Sequence, residues 1–246
     1  MGDRFPIVIA ETRFETVEDL AADITRRGED CVLPERSGLD PWDWYARWMR
    51  EDTSGKIEAA VLEACAVLIE HSTSGDALHP AIQLTGSRGS PATLRAIMDR
   101  IASGNMPDAR WYGDHDALSK RALSTISYGV RTRIPEDTPR LVWLLEAHGE
   151  FYAAASILLT GPNPDPAVID LVDRWARSMD IQPEEASALG STASFYPDLV
   201  VPLAVSLSRA NEDAKAAFQA QIDEHLPEKA HAVFEAIKPE HQHKET

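Results

Sequence analysis

PRLVWLLEAHGEFYAAASILLTG, residues 139–161, reads as two antiparallel helices meeting at Gly149, too apolar to lie on a surface. Thr138 supplies a cap, and Pro139 takes the first helical position, where the missing N–H costs nothing because that donor has no intrahelical acceptor. Gly161 stops the second helix. Leu141, Leu144, Leu145, Phe151, Ile157 and Leu158 cover more than one stripe, and helices that are apolar nearly all round belong inside an assembly of helices. The stretch predicts an all-α fold with this pair at its centre and Leu145 and Leu158 in its core.

Upstream, Ile7-Val8-Ile9 is the one β-like run, too short to found a sheet, and residues 1–15 are expected as an extended arm on the helices. Thr16 and Asp19 form a capping-box pattern, and Val17, Leu20, Ala21 and Ile24 repeat at helical spacing up to Gly28, which should end that helix. A loop over 29–39 leads to a helix capped by Asp40-Pro41, then to KIEAAVLEACAVLIEH, residues 56–71, which is mostly buried. Residues 72–90 read as turns around a short apolar piece, Ala81 to Leu84. Ser90-Pro91 caps an amphipathic helix that ends at Gly104. Another spans 115–128 with Leu118, Ala122 and Ile126 inward, and Gly129 closes it.

Downstream of the quoted stretch, Asp165-Pro166 caps a helix with Val168, Leu171, Val172, Trp175, Ala176 and Met179 on one face. A short helix covers 183–193, and 197–209 forms one that Pro202 kinks or delays. Asn211 caps the next, with Ala214, Ala217, Phe218 and Ile222 inward, and Ala230, Val233, Phe234 and Ile237 mark a last one. The sum is an irregular multi-helix bundle, or a HEAT-like α-α superhelix, of about ten to twelve helices. It is expected as one domain over 1–238, with a disordered tail at 239–246.

Lys plus Arg number 24 against 40 Asp plus Glu, a net charge of −16. That balance argues against a nucleic-acid backbone or an anionic membrane as the main partner and leaves a basic partner or simple solubility. Residues 1–80 sum to −9, 81–161 to +1 and 162–246 to −8, so both ends are acidic and the middle is not. Cys31 and Cys65 are too few for a disulfide framework and read as reduced thiols. With no basic, apolar leader and no run of transmembrane length, the expected place is the cytoplasm.

Candidate chemistry is sparse. Thr85 to Ser90, TGSRGS, precedes a helix N-terminus that favours anions, but it lacks a P-loop lysine and reads as a capped loop. Asp114-His115-Asp116, with His79 upstream and Asp170 or Asp173 downstream, resembles the H…HD…D metal pattern of the HD phosphohydrolases, which are also all-helical. The resemblance implies a metal-dependent hydrolase using His79, His115 and Asp116. In that family the His-Asp pair ends an apolar helix, whereas here a helix follows it, and acids in a first turn satisfy caps and the helix dipole without a metal. Glu146, His148 and Glu150 cluster at the central bend, where one histidine makes no site.

The remaining candidate is the helix PWDWYARWMR, residues 41–50, whose Trp42, Trp44, Tyr45, Trp48 and Met49 share a broad face. That face either caps the core or anchors a partner. Asp40, Asp43, Glu51 and Asp52 surround it. Asp40, Trp42, Asp43, Trp44, Glu51 and Asp52 are therefore the expected protein-binding residues, and no cofactor is expected. The sequence reading is an acidic, non-catalytic protein that binds a basic protein, in its most concrete form a bacterial immunity or antitoxin protein against a toxin such as a nuclease. The alternatives are the HD-like hydrolase and a helical scaffold or regulator.

Overall fold

The computed structural model describes residues 5–31, 41–109, 115–160, 164–178 and 181–238, and the side chains of Cys31, Pro41, Trp42 and His115 fall outside that description. The fold is all-α, a multi-helix bundle with thirteen helices and one two-stranded sheet among the described residues. No described helix is long and apolar enough to cross a membrane. The chain divides into two compact units, Met1–His148 and Gly149–Thr246. The division falls at the bend of the quoted stretch, so its two helices serve separate cores. The expected disordered tail at 239–246 lies outside the described residues.

In the first unit, β1 (Ile7–Ile9) and β2 (Thr12–Phe14) pair antiparallel, where an extended arm was expected. The turn between them carries Ala10 and Glu11 at positive φ, 46° and 66°, a conformation that turn sequences normally mark with Gly or Asn. Ile7, Ile9 and Phe14 bury one face of this hairpin. Helix α1 (Val17–Cys31) opens with the expected capping box: the Asp19 N–H donates to Thr16 Oγ1 at 3.2 Å, and the Thr16 N–H donates to Asp19 Oδ2 at 3.1 Å. Gly28 does not end it. Helix α2 (Pro41–Glu51) follows, and α3 (Lys56–His71) matches its expected boundaries.

The centre of the first unit is α4 (Gly75–Thr85), not the quoted stretch. Every residue of α4 except Gln83 is buried, and it packs on α1, α2, α3 and α6 (His115–Arg133). Pro80 lies inside this helix and has no N–H to give the Asp76 carbonyl, its partner in an unbroken helix. That carbonyl faces Gly28 of α1, where a methyl group would overlap it. Gly75 likewise lies against the backbone of Asp108 and Ala109. Gly28 and Gly75 therefore mark close backbone approaches. Gly129 does the same inside α6, against Ser87 and Gly86, so the helix runs on to Arg133.

Helix α5 (Pro91–Ala102) starts at Ser90, whose Oγ accepts the Thr93 N–H at 3.1 Å. Arg100 donates from its guanidinium to the carbonyls of Ile69, at 2.9 Å, and Ser72, at 2.7 Å, tying α5 to the end of α3. A cation there also suits the negative end of the helix dipole. Helix α7 (Thr138–Ala147) packs on α5 and α6 and buries Leu145 completely.

In the second unit, α8 (Phe151–Leu159) packs on α9 (Ala167–Ser178) and α10 (Pro183–Ala193), burying Leu158. The Phe151 and Trp175 rings stack with centroids 6.1 Å apart. Of the six expected apolar positions of α9, Val168, Leu171, Val172, Trp175 and Ala176 are buried, and Met179 lies outside the described residues. Helix α11 (Pro197–Leu207) contains Pro202 and lies against α9 and α13 (Pro227–Ile237). Helix α12 (Glu212–His225) is capped by Asn211 Oδ1, which accepts the Ala214 N–H at 2.7 Å. It approaches α10 closely at Gly190, where a Cβ would sit 3.0 Å from the Phe218 carbonyl oxygen.

Candidate functional site

Helix α2 buries Tyr45 and Met49, leaves Trp44 and Trp48 half-buried, and exposes Asp43, Arg47 and Arg50. Its aromatic face is thus committed to the first unit. Tyr45 Oη donates to Asp23 Oδ2 of α1 at 2.5 Å, and the Arg27 guanidinium donates to the same oxygen at 2.6 Å while lying 3.9 Å from the centroid of the Trp44 ring. Arg26 also donates to Asp23. Burial pushes the Asp23 carboxyl up, but the hydrogen bonds from Tyr45, Arg27 and Arg26 outweigh it and hold the group below its ordinary range. Burial and the bond to Asp23 raise the Tyr45 phenol. The network is a polar clamp between α1 and α2.

Of the expected protein-binding residues, Asp40 and the side chain of Trp42 lie outside the described residues. Asp43 is exposed. Trp44 is covered by Arg27, and Glu51 accepts from Arg47 at 2.8 Å. Asp52 caps the start of α3: its carboxylate accepts from the Ser54 hydroxyl at 2.6 Å and from the Ile57 N–H at 2.7 Å. Those two bonds, the hydroxyl first, hold its pKa below the usual carboxylate range. Arg47 and Arg50 share the surface with Asp43 and Glu51, so the exposed face of α2 is mixed in charge.

Among the described residues of the metal pattern, Asp116 and Asp173 are tied to neighbouring side chains. Asp116 accepts from Lys120 at 3.1 Å and sits 2.7 Å from His148 Nδ1, joining the start of α6 to the end of α7. The bond to His148, then Lys120 against a small burial cost, holds the Asp116 carboxyl below its ordinary range. Asp173 pairs with Arg177 at 2.5 Å in the second unit. Asp114 and the His115 side chain lie outside the described residues. Among the described residues, no three His, Cys, Asp or Glu side chains gather as metal ligands would.

His79 is 1% exposed in α4. Burial, reinforced by the Arg121 charge and opposed by Asp76, holds its pKa down to about 4 from an ordinary 6.5. Above pH 6.5 the ring is neutral folded or unfolded. Below it the unfolded chain takes up a proton that the folded chain refuses, so stability falls until about pH 4, by about 3 kcal/mol in total. Denaturant midpoints at pH 7 and pH 4.5 should therefore differ less in His79→Gln than in the parent chain. Equal differences would show that this ring does not carry the acid sensitivity.

The TGSRGS loop forms a short 3-10 turn over Gly86–Arg88 before the Ser90 cap, and it borders a cavity of about 280 Å³ with Ala46, Gln83 and Leu84. Arg88 there faces Glu58 at 3.9 Å. Three interactions were not visible in the chain: Asp23 with Tyr45, Asp116 with His148, and Arg100 with the end of α3. Each links residues more than 20 positions apart with no motif between them. The chain matches no protein-family model, no curated protein and no solved structure.

Proposed function

We propose that this protein binds a basic protein partner and catalyses nothing, in its most concrete form as a bacterial immunity or antitoxin protein that covers a cationic toxin such as a nuclease. The observation that carries the reading is where the charge lies. Gly149–Thr246, the smaller unit, holds 7 basic and 16 acidic side chains, more than half of the net −16 in well under half of the length. A concentrated negative field speeds encounter with a positive surface and disfavours acidic competitors. Of the ionisable groups that suggested catalysis and lie among the described residues, Asp116 is engaged with His148 and Lys120, Asp173 with Arg177, and His79 lies in a core helix.

The test is kinetic. A partner recovered by co-purification from the native host should be basic, and its association rate should fall about tenfold or more between roughly 50 and 300 mM salt, with a smaller change in dissociation. An acidic partner, or an association rate indifferent to salt, would overturn the proposal. Asp52 is no probe for this experiment. Reversing its charge removes the cap of α3 along with any surface role.

A further inference from the structure

Helices α12 and α13 enclose an open groove of about 330 Å³, within the size range of recognition pockets. One wall is a single face of α12: Glu212, Lys215, Ala216, Gln219, Ala220 and Asp223, at intervals of three and four. The other wall is Phe234, Ile237 and Lys238 of α13. Phe234 is 49% exposed. Ala216 and Ala220 are exposed too, so the floor is apolar and shallow, with an aromatic ring along one side. Gln219 donates to Asp223 Oδ1 at 2.6 Å and to the Ala230 carbonyl at 3.0 Å, which holds the two helices in register.

The groove's own lining is balanced, Glu212 and Asp223 against Lys215 and Lys238, but the exposed charge of the two helices that form it is mostly negative. The six carboxylates of α12 and α13, Glu212, Asp213, Asp223, Glu224, Glu228 and Glu235, are all exposed. Against them, Lys215 is buried and paired with Glu212 at 2.8 Å, Lys229 is half-buried, and Lys238 is tied to Glu235 at 2.6 Å while lying 4.2 Å from the Phe234 ring centroid. Asp213, Ala216, Ala220 and Glu224 fall at i, i+3, i+7 and i+11, one line along α12. An alanine strip thus has a carboxylate at each end, about 16 Å apart by helical rise.

We infer that the groove between α12 and α13 docks an amphipathic basic helix of the partner protein, seating an apolar side chain against Ala216, Ala220 and Phe234 and placing cationic side chains about three turns apart on Asp213 and Glu224. The small alanines let a helix backbone come close, the Phe234 ring supplies the apolar contact, and the carboxylates orient the incoming helix. The inference rests on the proposal that the partner is basic, and it adds where and in what form that partner is held.

The probe is a labelled synthetic Lys/Leu amphipathic peptide of about four helical turns, titrated into the full-length protein beside a peptide of the same pattern with Glu in place of Lys. The Lys/Leu peptide should bind and shift the backbone amide resonances of Ala216, Ala220 and Phe234, while the Glu/Leu peptide should not. Ala220→Arg fills the groove at an exposed position and should weaken binding about tenfold; Glu224→Lys should do likewise, and Glu70→Lys, at an exposed position near the end of α3, should leave affinity within about twofold. If Ala220→Arg disturbs the fold by circular dichroism, Phe234→Ser takes its place. Binding that survives the groove variants overturns the site and leaves the basic-partner reading standing. No preference for the Lys/Leu peptide overturns both.

Discussion

Leu145→Ala and Leu158→Ala are each expected to lower the free energy of unfolding by about 2 to 5 kcal/mol. Leu145 is 0% exposed in α7 and Leu158 is 7% exposed in α8, one in each compact unit. Each change removes buried methyl groups from water-free surroundings and leaves a void, because close-packed neighbours relax only in part. The cost should be higher at Leu145, whose burial is complete. Urea denaturation followed by circular dichroism and by tryptophan fluorescence checks this, and an unshifted midpoint in either variant would remove that leucine from its core.

Gly28→Ala is expected to destabilise the protein by about 1 to 3 kcal/mol, although alanine inside a helix is normally worth about 0.5 to 1 kcal/mol over glycine. The sign is set by tertiary contact. The added methyl would overlap the Asp76 carbonyl oxygen and press within 3.1 Å of Pro80 Cγ, and neither is the free end of a flexible side chain. Relief requires α1 and α4 to separate along the most buried helix of the unit. Ala22→Gly, at an exposed position on α1, gives the comparison: it should cost only the propensity difference. A Gly28→Ala variant as stable as the parent would mean that the two helices are not in contact at this point.

These glycines explain what the chain could not tell. Helix α3 and α10 were legible to the residue because their apolar spacing and starting signals are local. Gly28 and Gly129 looked like stops, since a glycine chosen for a partner 48 or 42 positions away carries the same letter as one chosen for a turn. Helix α4 was lost for a related reason. Gly75 and Pro80 are breakers by propensity, and only the packing around them overrides it. The hairpin turn at Ala10 and Glu11 lacks the residues that announce positive φ. For the surface, spacing could name the broad aromatic face of α2 but not its occupant, the Arg27 and Asp23 clamp. It grouped Phe234 with Ala230, Val233 and Ile237, and periodicity says which residues align but not whether a neighbour covers them.

The grip of Arg100 has a dynamic meaning. The carbonyls of Ile69 and Ser72 sit where α3 has run out of its own amides, so a side chain of α5 supplies the donors. Fraying of that last turn cannot proceed from α3 alone, because it must also strand a charged group that is largely shielded from water. The last turn of α3 and the last turn of α5 therefore open together or not at all, a single cooperative unit of local unfolding assembled from two helices separated in the chain by the whole of α4.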